Sequence, residues 1–175
     1  MAYYGDPVLR RKADNVKEGS IDLKKLVDEM VATMDACDGI GLAAPQVHHS
    51  IRLFMIRTPN EKSQDEVEFG EVKVFINAEI LSFGEEKWIT EEGCLSIPGI
   101  RASVSRPKVI RMRYNDLDGT LHEEEFSGWK ARVIQHEYDH IEGILFTDRL
   151  EGKEAVEVKT ALTILAKRMK DHRNL

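Results

Sequence analysis

Residues 108–143 read KVIRMRYNDLDGTLHEEEFSGWKARVIQHEYDHIEG, and the fold class turns on this stretch. Over 108–114 the pattern has period two, with Ile110, Met112 and Tyr114 on one face, as in a half-buried strand. Asp118-Gly119 is a tight-hairpin signal, and 120–126 returns as the partner strand. The period then changes. Residues 128–141 read as a helix, stopped by Gly143. Downstream, 154–173 reads as a long amphipathic helix with Ala155, Val158, Leu162, Leu165 and Met169 as its buried stripe. Upstream, strands are expected at about 72–77, 79–83 and 86–90, and another at 51–57. Residues 58–70 are polar, contain Pro59, and read as an exposed loop. Nearer the start, 21–37 reads as a helix with Ile21, Leu23, Leu26, Val27, Met30 and Met34 near one face. Ser20 or Asp22 would cap it, and it must end by Gly39. Strands cluster mid-chain and long helices flank them, which is an α+β domain.

The 175 residues suit a single domain spanning 1–175. Hydrophobic residues make up 42% and charged residues 32%, a globular balance rather than a disordered or membranous one. A formal charge of -6 argues against specific nucleic-acid recognition, which normally needs a basic face. Two cysteines, Cys37 and Cys94, are too few for a disulfide scaffold. No leader-like apolar run follows the first basic residues, and no stretch is long and apolar enough to span a membrane. A cytoplasmic location is expected.

The chemistry concentrates in His136-Glu137-Tyr138-Asp139-His140, an HExxH on the helix expected at 128–141. Two histidines four residues apart sit about 40° from each other around a helix, so both imidazoles can reach one metal ion. Glu137 and Asp139 lie about 60° to either side, so angle alone does not choose between them. The longer Glu137 reaches more easily to a water on the ion. A catalytic cation usually takes three protein ligands and keeps one position for water, so one ligand is missing. Glu142 points away. Glu151, Glu154 and Glu157 would complete a protease-like set. Cys94, in Glu92-Gly93-Cys94-Leu95-Ser96, is the other candidate, although a lone cysteine is more often a small buried hydrophobe. Gly39 and Gly41, in GIGLAA, imitate a dinucleotide fingerprint. They follow a helix rather than a strand, and Pro45-Gln46 interrupts any new helix. Close approach of a substrate backbone to Gly41 is the better reading.

Three segments together resemble the signature motifs of the peptide deformylase family: GIGLAAPQ at 39–46, EGCLS at 92–96 and QHEYDH at 135–140, in that order. GDPVLR near the start, GWKARVIQHEYDHIEG around the helix and FTDRL after it also match, so the resemblance covers most of the chain. It implies an α+β fold with mixed or antiparallel sheets packed around a central metal-binding HExxH helix, and a C-terminal helix. It implies Cys94, His136 and His140 as ligands of one divalent cation. Iron(II) is implied as the native ion, while the donor set also suits zinc, nickel or cobalt.

The same resemblance implies Glu137 as acid/base. Gln46's side-chain amide and Leu95's backbone N–H would hold the formyl oxygen. The methionine side chain would lie near Ile40, Trp129, Val133 and His136, and Arg101 beside the substrate backbone. The activity implied is removal of the formyl group from the N-terminal methionine of new polypeptides. The ribosomal exit is an implied docking site for the basic end of the last helix (Lys159, Lys167, Arg168, Lys170 and Arg173). A helix C-terminus favours cations in any case.

This sequence departs from the family at His48, where a glycine is usual, at Trp129, where a smaller apolar group is usual, and in the length of the 58–70 loop. His48, His49, His122 and His172 read as surface residues and Cys37 as a buried small one.

Overall fold

The computed structural model of the chain describes residues 1–57 and 70–173, with side chains described as far as Met169. The 58–69 part of the expected loop therefore lies outside the described residues, as do the side chains of Lys170, His172 and Arg173.

A 3₁₀ turn at Pro7–Arg10 opens the chain, capped by Asp6, which accepts from the Val8 N–H. Helix α1 spans Leu23–Ala36, and of its two candidate caps Asp22 does the work, accepting from the Lys25 N–H at 3.0 Å. Strands β1 (Gly41–Ala43), β2 (Leu53–Ile56), β3 (Lys73–Phe83), β6 (Val109–Asn115) and β7 (Leu121–Ser127) form one antiparallel sheet in the order β1-β2-β3-β6-β7. β4 (Lys87–Cys94) and β5 (Ile97–Pro107) form a separate hairpin. Helix α2 is Gly128–Ile141 and α3 is Gly152–Arg173. The hairpin-then-helix reading of 108–143 matches β6, β7 and α2.

Two expectations need correction. The strands expected at 72–77 and 79–83 are one strand, β3, with a register break between Ile76 and Glu79. Asn77 there has φ of 51° and pairs its side-chain amide with the Val16 backbone at 2.8 and 3.0 Å. Cys37 is exposed, not buried, because α1 ends at Ala36 and the buried stripe of Leu26, Val27, Met30 and Met34 stops before it. β5 had no sequence signal. Pro98 and Gly99 interrupt it, and a charged residue, Arg106, occupies an inward position after Ala102 and Val104.

The core has three parts. Phe54, Phe75, Ile110, Met112, Tyr114 and Phe126 of the five-stranded sheet meet Ala131, Ile134 and Ile141 of α2. α1 covers the sheet's β1-β2 end through Met30, Met34, Leu42, Leu53 and Met55. α3 lays Val158, Leu162 and Leu165 against Ala102, Val104 and Leu145. Burial of each large apolar side chain contributes about 1.5–3 kcal/mol. The outcome is that α2 is held between the large sheet and the β4-β5 hairpin. Among the described residues, no helix is long and apolar enough to cross a membrane.

Candidate metal centre

One helical turn separates His136 from His140, and their ring centroids are 5.2 Å apart. The facing hairpin supplies Cys94, the last residue of β4. Pairing in that hairpin is regular up to Gly93 opposite Arg101, then shifts so that Cys94 faces Ile97. Such a bulge re-aims the side chain that follows it. Cys94 Sγ lies 3.2 Å from His140 Nε2, and one donor atom from each of Cys94, His136 and His140 falls within 4.8 Å of the others. No other His, Cys, Asp or Glu group among the described residues meets that criterion. Of the three protease-like alternatives, Glu154 accepts from the Ser103 N–H, Glu157 pairs with Lys153, and Glu151 is exposed and outside the cluster.

His136 Nδ1 donates to Glu92 at 2.9 Å. With Nδ1 engaged by Glu92, Nε2 is the ring nitrogen left for an ion, which would take the place of its proton. Glu92 is itself fixed by Arg106, through Nε at 2.7 Å and a terminal nitrogen at 2.9 Å, and by Arg132. Arg106 continues to Asp139 at 2.8 Å, which also accepts from Arg149. Arg106, Arg132, Glu92 and Asp139 are all buried. Burial alone would push the Glu92 carboxyl up, but the hydrogen bonds from His136 and Arg106 hold it well below the usual carboxylate range. Burial would lower His136, yet Cys94 and Glu92 raise it to about 10. His140 is driven the other way, by burial first and then by the charges of His136 and Arg106, and stays neutral.

Asp139 is thus committed to arginines, which separates it from Glu137. Glu137 is buried, and its Oε2 has no hydrogen-bond partner among the described residues. Burial pushes its carboxyl up to about 7, against the charges of His136 and Arg106. Gly41 makes room for it. A Cβ on Gly41 would meet Glu137 Cγ and Cδ at 2.9 Å and Oε1 closer still. Gly39 does the same for Leu95, whose Cδ1 lies 2.9 Å from where a Cβ would stand. Both glycines therefore answer first to the protein's own side chains.

Gln46 is buried beside the cluster. Its Oε1 accepts from the Ala43 N–H at 2.8 Å, so its amide nitrogen faces Ser96 Oγ at 3.2 Å and Cys94 Sγ at 3.6 Å. Leu95 lies in the two-residue turn between β4 and β5. A cleft of about 680 Å³ opens onto the centre. Ile40, Gly41, Gln46, Cys94, Leu95, Arg101, Trp129, Val133, His136 and Glu137 all line it, and His140 lies behind them. Arg101 is an exposed rim residue paired with Glu91. His48 adopts the left-handed φ of 65° that a glycine would take freely, and closes the turn through its N–H to the Ala44 and Pro45 carbonyls.

Sequence reasoning missed Glu92, Ser96, Arg106 and Arg132. Glu92 had a usable signal, a carboxylate two residues before a candidate ligand. Of its arginine partners, Arg106 came from β5, which had none, and Arg132 from α2.

The residues fit a divalent transition cation. A thiolate with two imidazoles is a borderline-soft set for such ions, and ligand bonds of about 2.0–2.3 Å let one ion bridge donors this close. The buried, unpartnered Glu137 oxygen beside them fits a site that also handles a proton.

The polypeptide deformylase family model matches residues 1–156. A peptide deformylase of Cytophaga hutchinsonii is 48% identical over 164 residues, 94% of this chain and 88% of that relative. A crystal structure of peptide deformylase from Plasmodium falciparum superposes with a TM-score of 0.87 at 35% identity, covering 98% of this chain and 97% of that one. A class I type b peptide deformylase from Acinetobacter baumannii, with Met-Ala-Ser bound, is similar at a TM-score of 0.78 and 38% identity, covering 86% and 96%.

Proposed function

The chain belongs to the peptide deformylase family, and on that premise we propose that Cys94, His136 and His140 hold one divalent cation while Glu137 moves the proton. The activity is the family's, hydrolysis of the N-formyl group from the N-terminus of formylated nascent peptides. A cation held there supplies positive charge that polarises the formyl carbonyl and brings the acidity of a water towards neutral pH.

Glu137 takes a proton from the attacking water on its carboxylate and returns one to the leaving amine as the C–N bond breaks. Formate and a free α-amine are the products. Burial, which raises Glu137 to about 7, suits it to both halves of that exchange near neutral pH. Negative charge grows on the formyl oxygen as water adds. Gln46 Nε2 and the Leu95 N–H act as donors to it, and losing one such donor costs about 3–4 kcal/mol. The Ala43 N–H keeps the Gln46 amide from turning its oxygen inward. Glu92, by engaging His136 Nδ1, leaves Nε2 as the ring nitrogen that would bind the cation. Ile40, Val133 and Trp129 receive the methionine side chain, and Arg101 at the rim meets the peptide backbone beyond it.

The observation that carries this reading is the convergence of one sulfur and two ring nitrogens within 4.8 Å, next to a buried carboxylate. Anaerobically purified protein is expected to carry near-stoichiometric metal, with iron(II) proposed as the ion, and to release formate from formyl-Met-Ala-Ser. Cys94→Ser is expected to lose the metal, and Glu137→Gln to keep the metal and lose turnover. Full metal retention in Cys94→Ser would overturn the ligand assignment. We also propose a cytoplasmic site of action, with the basic end of α3 docking at the ribosomal exit. Unchanged ribosome co-sedimentation after truncation beyond Lys167 would remove the docking.

A further inference from the structure

The chain has two tryptophans, Trp88 and Trp129, and they touch. Their ring centroids are 5.1 Å apart and the planes cross at 65°, the edge-to-face arrangement that aromatic quadrupoles favour. Trp129 is half-exposed and lines the cleft. Trp88, on β4, does not line it. Instead Trp88 is held by Arg132, which does line the cleft. The Arg132 guanidinium lies 4.8 Å from its ring centroid, and the same guanidinium donates to the Trp88 carbonyl at 2.8 Å. Arg132 is tied in turn to Glu92 and to the Val104 carbonyl. Trp88 Nε1 is buried with no hydrogen-bond partner among the described residues. Leaving a buried donor unpaired is unfavourable, so what this indole contributes is its surface, not its N–H.

Helix α2 gives that surface a use. Trp129, Val133, His136 and His140 recur along one face of it. Trp129 stands seven residues up the helix from His136, about 10 Å along its axis. Val133 and Trp129 therefore follow His136 in that order along one wall of the cleft. An indole free to swing there would be a loose gate. An indole pinned edge-on to a clamped neighbour is a wall.

We infer that Trp88 is a positioning residue for substrate selection: held by Arg132, it fixes Trp129 across the outer end of the first-side-chain pocket, so the pair admits an unbranched chain such as methionine and turns away bulkier ones. This rests on the proposed placement of the methionine against Ile40, Val133 and Trp129.

The test uses metal-loaded protein with formyl-Met-Ala-Ser and formyl-Phe-Ala-Ser. In Trp88→Ala the ratio of kcat/KM for the phenylalanine over the methionine substrate is expected to rise about tenfold, the usual size of a change in hydrophobic pocket fit. The loss on the methionine substrate is expected in KM rather than kcat. Trp88→Phe keeps an aromatic edge and drops the unpaired N–H, so its ratio is expected to stay within about twofold of wild type. An unchanged ratio in folded Trp88→Ala overturns the inference, as does a Trp88→Phe ratio equal to that of the alanine variant.

Should Trp88→Ala not fold, the wild-type holoenzyme decides. All its tryptophan emission comes from this pair, so saturating Met-Ala-Ser must change that emission. Inhibition by Met-Ala-Ser with unchanged emission overturns the inference. A wild type that takes up metal and yet releases no formate from formyl-Met-Ala-Ser removes the deformylase reading and this inference with it. A wild type that turns over while Trp88→Ala keeps its selectivity removes only the inference.

Discussion

Replacing Gly41 by alanine isolates one contact. Gly41 has no left-handed φ, so alanine adds no backbone strain there, and its only burden is the new methyl. That methyl would stand 2.9 Å from Glu137 Cγ and Cδ, where ordinary carbon–carbon contact is about 3.5–4.0 Å. The carboxylate must retreat by roughly 0.6–1 Å to restore that contact. A misplacement of about 1 Å in a reacting group costs on the order of 100-fold in rate, or about 2.7 kcal/mol of barrier. Gly41→Ala is therefore expected to lower kcat about 100-fold with KM nearly unchanged, and to cost about 1–3 kcal/mol of stability from overpacking. The assay is formate release from formyl-Met-Ala-Ser at matched metal content.

A double-mutant cycle makes the reasoning refutable. In Glu137→Asp the acid is one methylene shorter and withdraws from Gly41. Adding Gly41→Ala in that background is expected to cost no more than about threefold, a coupling of roughly 2 kcal/mol. If Gly41→Ala costs the same factor in both backgrounds, the glycine serves the substrate backbone and not Glu137, and this reading of its role is wrong.

Glu92→Gln leaves Arg106, Arg132 and His136 facing a neutral amide. It is expected to destabilise the fold by about 3–5 kcal/mol and to weaken metal binding about 10–100-fold, read by urea titration and chelator competition; an unchanged midpoint would count against the network. Burial raises the Glu137 carboxyl to about 7, and the reaction needs its ionised form, so activity rises with pH on the acid limb. A bound cation favours that ionised form, placing the midpoint of the kcat/KM profile below 7, and a midpoint above 7 in loaded enzyme would contradict the assignment. The Glu142 carboxyl is pushed up by burial but held below its ordinary value by Lys12 and Arg52. Its folded pKa being the lower one, its contribution is present above the unfolded carboxylate pKa of about 4.3 and is lost as pH falls towards the folded value. Glu142→Gln is expected to flatten the acid limb of stability there, measured by urea midpoints at several pH values; an unchanged slope would remove Glu142 from the account.

The sequence was legible where one periodicity ruled. β6, β7, α2 and α3 carry their patterns without interruption. β3 was split in the reading because Asn77 leaves the pleat to bond with Val16, and a side chain standing in for backbone has no periodic signature. β5 was invisible because Arg106 fills a position that alternation reserves for an apolar group. The HExxH offered two candidate donors by helix geometry alone. The third candidate was beyond spacing, since Cys94 arrives through a bulge in a hairpin that only the fold brings against α2. The choice between Glu137 and Asp139 was equally beyond helix geometry. It is made by Arg106, which takes Asp139 and leaves Glu137 without a cationic partner.

That division explains why the chain keeps so many charges inside. Buried ion pairs are poor stabilisers, because an apolar set of similar volume often does as well or better. Glu92, Arg106, Asp139 and Arg132 are therefore a costly way to fill the space between α2 and the β4-β5 hairpin. What an apolar filling cannot do is hold one histidine ring by its Nδ1 or give two carboxylates on the same helix different partners. The network does both at once. Glu92 is kept ionised to accept from His136, Asp139 is paired with Arg106 and Arg149, and Glu137, with no such partner, is left with a carboxyl raised to about 7. Its last link reaches Trp88 through Arg132, so the charges that orient His136 at one end of the network also hold Trp88 at the other.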